Sequence, residues 1–144
     1  MNKELKATAT ISINASAADV WDALTNAEKI KVYLYGTDTI TDWKEGSPIS
    51  FEGEYEGQTY KDKGNVLKNE AKKVLQYNYW SGFSGLEDKL ENYSIITYIL
   101  EVVSPNAVKF TWSQQGFASE EGQQHSQSGL PEMLKQIKQL VEKA

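Results

Sequence analysis

The chain has 144 residues, 40% of them hydrophobic and 24% charged, with ten glycines, three prolines and no cysteine. That is the size of one domain, residues 1–144, which can hold a hydrophobic core without covalent staples. Zero cysteine excludes disulfides, zinc fingers, iron–sulfur clusters and a thiol nucleophile, and a formal charge of −5 disfavours a phosphate backbone as partner. No apolar run approaches the roughly 18 residues that span a bilayer, and the first residues lack the apolar stretch of a secretory signal. A cytoplasmic protein with no membrane span and no nucleic-acid partner is the expectation.

The segment 7–13 (Ala-Thr-Ala-Thr-Ile-Ser-Ile) is β-branched and alternates, which predicts a first strand. Ser16 stands three residues before Asp19 in the form of a capping box, and Val20, Trp21 and Leu24 follow at helical spacing. Thr25 and Glu28 repeat the signal, so two short helices joined tightly are predicted, with Gly36 closing the second. From Thr37 the period turns to two. Strands are predicted over 49–55, 60–68, 74–80, 93–103 and 108–114, joined mostly by tight turns and once by the polar loop 81–92. Gly64 marks a bulge or a close approach inside its strand. Leu130, Met133, Leu134, Ile137, Leu140 and Val141 form one apolar stripe, the mark of a terminal helix. Pro131 cannot donate a backbone hydrogen bond, so the continuous helix is predicted to begin near Leu130, with 119–129 a separate turn, a shorter helix or a mobile segment. Runs of strands with segregated helices indicate an α+β fold.

Several local motifs add to that order: Ile13-Asn14-Ala15-Ser16-Ala17-Ala18-Asp19-Val20-Trp21, then Trp43-Lys44-Glu45-Gly46, then Asp62-Lys63-Gly64-Asn65-Val66, and Val108 to Phe117 before the terminal helix. Together they resemble the START-like (SRPBCC) superfamily, and most closely the group similar to the C-terminal domain of the activator of the 90-kDa heat-shock protein ATPase. The resemblance covers roughly residues 5–142. One departure is Gly129-Leu130, where relatives usually carry a Gly-Trp pair. The resemblance implies a helix-grip fold, a curved antiparallel sheet of about six to seven strands wrapped on a long C-terminal helix, enclosing an apolar cavity. Relatives bind lipids, hormones or aromatic metabolites there; some are cyclases or hydrolases, and some contact chaperones. The fold alone does not choose among these roles.

Pleat alternation predicts which side chains face the helix. They are Ile49, Phe51 and Tyr55; Leu75, Tyr77 and Tyr79; Ile96, Tyr98, Leu100 and Val102; and Val108, Phe110, Trp112 and Gln114. Phe51, Tyr55, Tyr77, Tyr79, Tyr98, Phe110 and Trp112, with Leu130 and Leu134 from the helix, are the candidates to line a ligand cavity, an apolar wall with a few polar tips. The plainer alternative is that these residues fill the core and satisfy their hydroxyls within it.

Elsewhere the signals are weaker. His125, the one histidine, has no nucleophile or orienting carboxylate near it in sequence and reads as a solvent-exposed or capping residue. Glu52, Glu54 and Glu56 share a strand face and read as a solvated outer surface rather than an acid/base pair. Trp43 reads as an anchor for its hairpin. The run Gly82 to Leu86 lacks the ending of a phosphate loop and reads as a lid carrying Phe83 and Leu86. No catalytic residue, metal site or cofactor is assigned. Binding of a small apolar or aromatic ligand in an internal cavity, without catalysis, is the leading expectation. A chaperone-contacting interaction module and an enzyme of cyclase or hydrolase type, using His125 or a cavity tyrosine, are the alternatives.

Overall fold

The computed structural model describes residues 1–143 and every side chain among them except that of Tyr55. In chain order the elements are β1 (Asn2–Ile13), α1 (Ala17–Thr25), α2 (Ala27–Tyr33), β2 (Asp38–Ile40), β3 (Pro48–Tyr55), β4 (Gln58–Glu70), β5 (Val74–Tyr79), β6 (Ser94–Ser104), β7 (Ala107–Phe117) and α3 (Glu120–Glu142). The seven strands form one antiparallel sheet in the order β1-β7-β6-β5-β4-β3-β2. This is the helix-grip α+β architecture, with β2 as the strand that period-two patterning did not reach. Three residues are too few to show alternation.

Local chemistry accounts for the helix starts. The Ser16 side chain accepts the Asp19 N–H and caps α1, which buries Val20, Ala23 and Leu24. The cap of α2 is Asn26, whose side chain accepts the Glu28 N–H. Thr25 does not serve as that cap, because its hydroxyl turns back to donate to the Trp21 carbonyl. Trp43 donates its indole N–H to the Thr25 carbonyl at 2.9 Å and so ties the β2–β3 connection to α1.

The terminal helix departs from expectation. α3 runs unbroken from Glu120, through Pro131, to Glu142. Its buried side chains are Leu130, Leu134, Ile137 and Val141, all in the half that the apolar stripe marked. The preceding half is held by polar contacts instead. Ser119 caps it by accepting the Gly122 N–H. Gln123 donates to the Lys6 carbonyl, and Gln127 both donates to the Thr8 carbonyl and accepts the Thr8 N–H. Farther along, Lys138 donates to the Ser12 carbonyl and Glu142 accepts the Asn14 N–H. These side chains run along the free edge of β1 and satisfy groups that would otherwise template another strand. Tethering on both sides of Pro131 offsets the single backbone bond it removes.

Pleat alternation places most of the predicted inner wall correctly, with one correction. Val102 is 59% exposed although it is still in register with the buried Val108, because β5 begins opposite Ile99 and no strand flanks Val102 on that side. Gln114 is half-buried and donates to the Ser94 hydroxyl. Among the described residues no helix is long and apolar enough to cross a membrane.

Candidate functional site

Seven of the nine cavity candidates converge in one buried cluster: Phe51, Tyr77, Tyr98, Phe110 and Trp112 from the sheet, with Leu130 and Leu134 from α3. Their rings meet one another. Phe51 and Tyr77 have centroids 5.8 Å apart, Tyr77 and Tyr98 5.6 Å, and Tyr98 lies 4.5 Å from Trp112 and 5.8 Å from Phe110. The hydroxyls of Tyr77 and Tyr98 share a hydrogen bond of 2.6 Å, so each polar tip is satisfied inside the layer. Burial pushes both phenols above their ordinary pKa, which keeps them protonated. Phe110 is 0% exposed, Leu134 1% and Tyr98 4%, so protein covers them on all sides. Tyr79, the eighth candidate, is half-buried at the rim, where its ring packs edge-on against Phe51. Tyr55 is the ninth, and its side chain lies outside the described residues.

The sheet opens at that rim. Lys63 and Trp80 exchange backbone hydrogen bonds of 3.0 and 2.8 Å, the last link between β4 and the chain leaving β5. Beyond it, residues 58–62 of β4 pair with β3 alone. Gly64 sits next to this parting, and a Cβ there would lie 1.8 Å from the Asn78 carbonyl oxygen. Only glycine lets the two strands approach so closely before they diverge. The gap is a cleft of about 340 Å³, walled by Tyr60, Asp62, Trp80, Gly82 and Phe83, with Thr59 and Lys61 on its lip.

Each wall residue has a structural reason for its place. Tyr60 and Asp62 share the inward parity of Val66 on β4, as their burial shows. Tyr60 is hydrogen-bonded to the Thr37 hydroxyl at 2.5 Å and meets the Phe83 ring edge-on at 5.9 Å. Phe83 rides on a single 3-10 turn, Gly82–Ser84, capped by the Ser81 side chain and closed by Gly85 at φ +76°. The Trp80 indole N–H donates to the Leu86 and Glu87 carbonyls, while Lys63 lies 6.0 Å over its ring and pairs with Asp88. At the base, Asp62 is 7% exposed and accepts a hydrogen bond from the Tyr79 hydroxyl. Burial, and then the neighbouring Asp62 carboxylate, push the Tyr79 phenol well up, so it remains a donor at neutral pH. The arrangement is a polar anchor under aromatic walls, a form suited to holding a small molecule.

The other predicted features fall elsewhere. His125 is exposed on the first half of α3 and lines no part of this cleft. Glu52 is half-buried and accepts the Ser50 hydroxyl, Glu54 is exposed, and Glu56 occupies the turn after β3 at φ +49°. A second, shallower groove of about 430 Å³ lies between α2 and α3, lined by Lys29, Val32, Gln136, Gln139, Leu140 and Lys143. Among the described residues no three His, Asp or Glu side chains gather as metal ligands would. Tyr60, Asp62 and Trp80 were not among the candidates. Counting back by twos from Val66 would have put Tyr60 and the Asp62 carboxylate on the inner face.

Residues 14–142 match the family model described as Activator of Hsp90 ATPase homolog 1-like protein. The chain belongs to that family. Among solved structures it is similar to ChR145 from Cytophaga hutchinsonii, with 37% identity over 99% of this chain and 97% of that one and a TM-score of 0.83. The Aha1 dimer from Colwellia psychrerythraea shares the fold at 18% identity, over 95% of this chain and 96% of that one, with a TM-score of 0.73. So does PFC0360w, an Hsp90 activator from Plasmodium falciparum, at 16% identity, 96% of each chain and a TM-score of 0.73. Comparison with curated proteins finds no match.

Proposed function

We propose that this family member is a non-catalytic binding module for a small molecule with an aromatic or apolar body, and that its site is the cleft where β4 parts from β5. The observation that carries this reading is the pairing of a buried carboxylate and a protonated tyrosine, Asp62 and Tyr79, at the base of walls built from Tyr60, Trp80 and Phe83. The reading moves the ligand from between helix and sheet, where the rings already fill the space with one another, to the rim of the same aromatic layer. Tyr79 links the two, its ring against Phe51 and its hydroxyl donating to Asp62. Native mass spectrometry of gently purified protein, set against its denatured mass, tests it. A released small molecule supports the reading. A bare mass, together with a fragment screen that moves no amide of residues 59–62 or 80–83, overturns it.

Membership of the Hsp90-activator-like family favours a second reading, a contact with a chaperone. Affinity capture with purified chaperone through a nucleotide cycle separates the two, because a ligand-binding module would not be retained.

A further inference from the structure

Asp62 is a buried carboxylate without a cation. Its residue is 7% exposed, and none of the ion pairs among the described residues includes it. The lysines beside it in sequence do not reach it. Strand alternation turns Lys61 and Lys63 to the convex face, where Lys63 is engaged with Asp88 and the Trp80 ring. A carboxylate taken out of water and given one hydroxyl donor keeps acceptor capacity unused, and a buried charge is costly until a counter-charge meets it. Tyr79 cannot supply that charge, since a phenol proton only donates.

The surroundings say what would. Tyr60 and Phe83 bring aromatic rings to the same cleft, and ring faces attract cations. The backbone adds acceptors. Lys63 spends both of its main-chain groups on Trp80, and alternation along an antiparallel strand aims the main-chain groups of Lys61 to the same side, across the gap that β5 has vacated. A carboxylate, a carbonyl and aromatic walls are the complement of an ammonium group, with its several N–H donors and its charge. The chain's formal charge of −5 draws cations toward it at longer range.

Resting on the site assigned above, we infer that the ligand is a protonated amine with a compact aromatic or apolar body, its ammonium seated on Asp62 and its body against Tyr60 and Phe83.

Three probes of like shape and different charge test this on the unaltered protein: 2-phenylethylamine, 2-phenylethanol and 3-phenylpropanoate, each titrated by amide NMR. Binding of the amine at least about tenfold tighter than the alcohol, with shifts centred on residues 60–62 and 80–83 and none from the carboxylate, supports the inference. Asp62→Asn, its fold verified in the same spectra, then reduces the amine to the affinity of the alcohol. Equal binding of amine and alcohol, or tighter binding of the carboxylate, overturns the inference about charge while leaving a ligand site at the cleft. Failure of all three to shift those amides also overturns it, and the native mass measurement then judges the binding reading by itself.

Discussion

The inner face of the sheet has two ends built from the same residue types and finished differently. At the closed end Tyr77, Tyr98, Phe110 and Trp112 stack ring against ring under Leu134, and the two tyrosine hydroxyls satisfy each other. At the open end Tyr60, Asp62, Trp80 and Phe83 bound a gap, and the polar partner of the neighbouring Tyr79 is a carboxylate rather than another phenol. The register runs Lys6–Gln115–Ile95–Asn78 across four strands, so the polar half of α3 lies toward the open end too. Two things differ, the covering element and the strand pairing. Leu130, Leu134, Ile137 and Val141 press one half of the sheet shut, whereas residues 120–129 bring no buried side chain to the other. Aromatic residues become core where paired strands lie under the helix's aliphatic side chains, and line a site where β4 has parted from β5.

Substitutions at the closed end should cost stability first. Phe110→Ala removes a ring that is 0% exposed, and unfolding in urea should show a loss of about 3–5 kcal/mol. A loss below about 1 kcal/mol would mean that the layer is loosely filled and would blur the contrast between the ends. Tyr98→Phe is the finer test. It strands the buried Tyr77 hydroxyl, at a cost of about 1–3 kcal/mol. Adding Tyr77→Phe removes the stranded group, so the double variant should cost less than the sum of the singles, a coupling that a double-mutant cycle reads directly. Additive losses would show that the two hydroxyls find water instead of each other, which is a property of the open end.

The contrast between the ends also explains what was legible in the sequence. Alternation in β3, β5, β6 and β7 identifies the closed end because each inward residue there is apolar or aromatic, and packing obeys the pleat. It misplaces only Val102, which lies past the end of β5. The open end is harder to read because it is made by an absence of pairing: β4 leaves β5 beyond Lys63, and no local pattern announces where two strands will separate. Gly64 is the one local sign, and its meaning depends on the Asn78 carbonyl lying beneath it. The start of α3 was hidden for a related reason. Its first half carries no apolar stripe, and what makes it helical is the edge of β1, more than a hundred residues away in sequence, to which Gln123 and Gln127 attach.

Pro131→Ala sharpens the difference between the two halves of α3, with a change of opposite sign. An alanine restores the N–H that can reach the Gln127 carbonyl, against a smaller gain in unfolded-chain entropy. Stability should rise by about 1 kcal/mol. Amide exchange should slow most in residues 120–129, since the apolar half is already anchored. Uniform slowing along α3 would show that the helix opens as one unit.

Phe83→Ala has the smallest expected effect on folding and separates the two ends most clearly. The ring is 60% exposed on a single turn, and the turn is held by Ser81, Gly85 and the Trp80 indole, none of which the substitution touches. The cost in unfolding free energy should stay below about 1 kcal/mol, as for other exposed side chains. Binding of 2-phenylethylamine should nevertheless weaken several-fold, because the variant keeps the Asp62–Tyr79 anchor and loses an aromatic wall. Phe110→Ala should do the reverse, lowering stability severely while the remaining folded protein binds the amine about as before. If instead both variants changed stability and binding in parallel, the two ends would be one cooperative unit. The packed layer would then belong to the site.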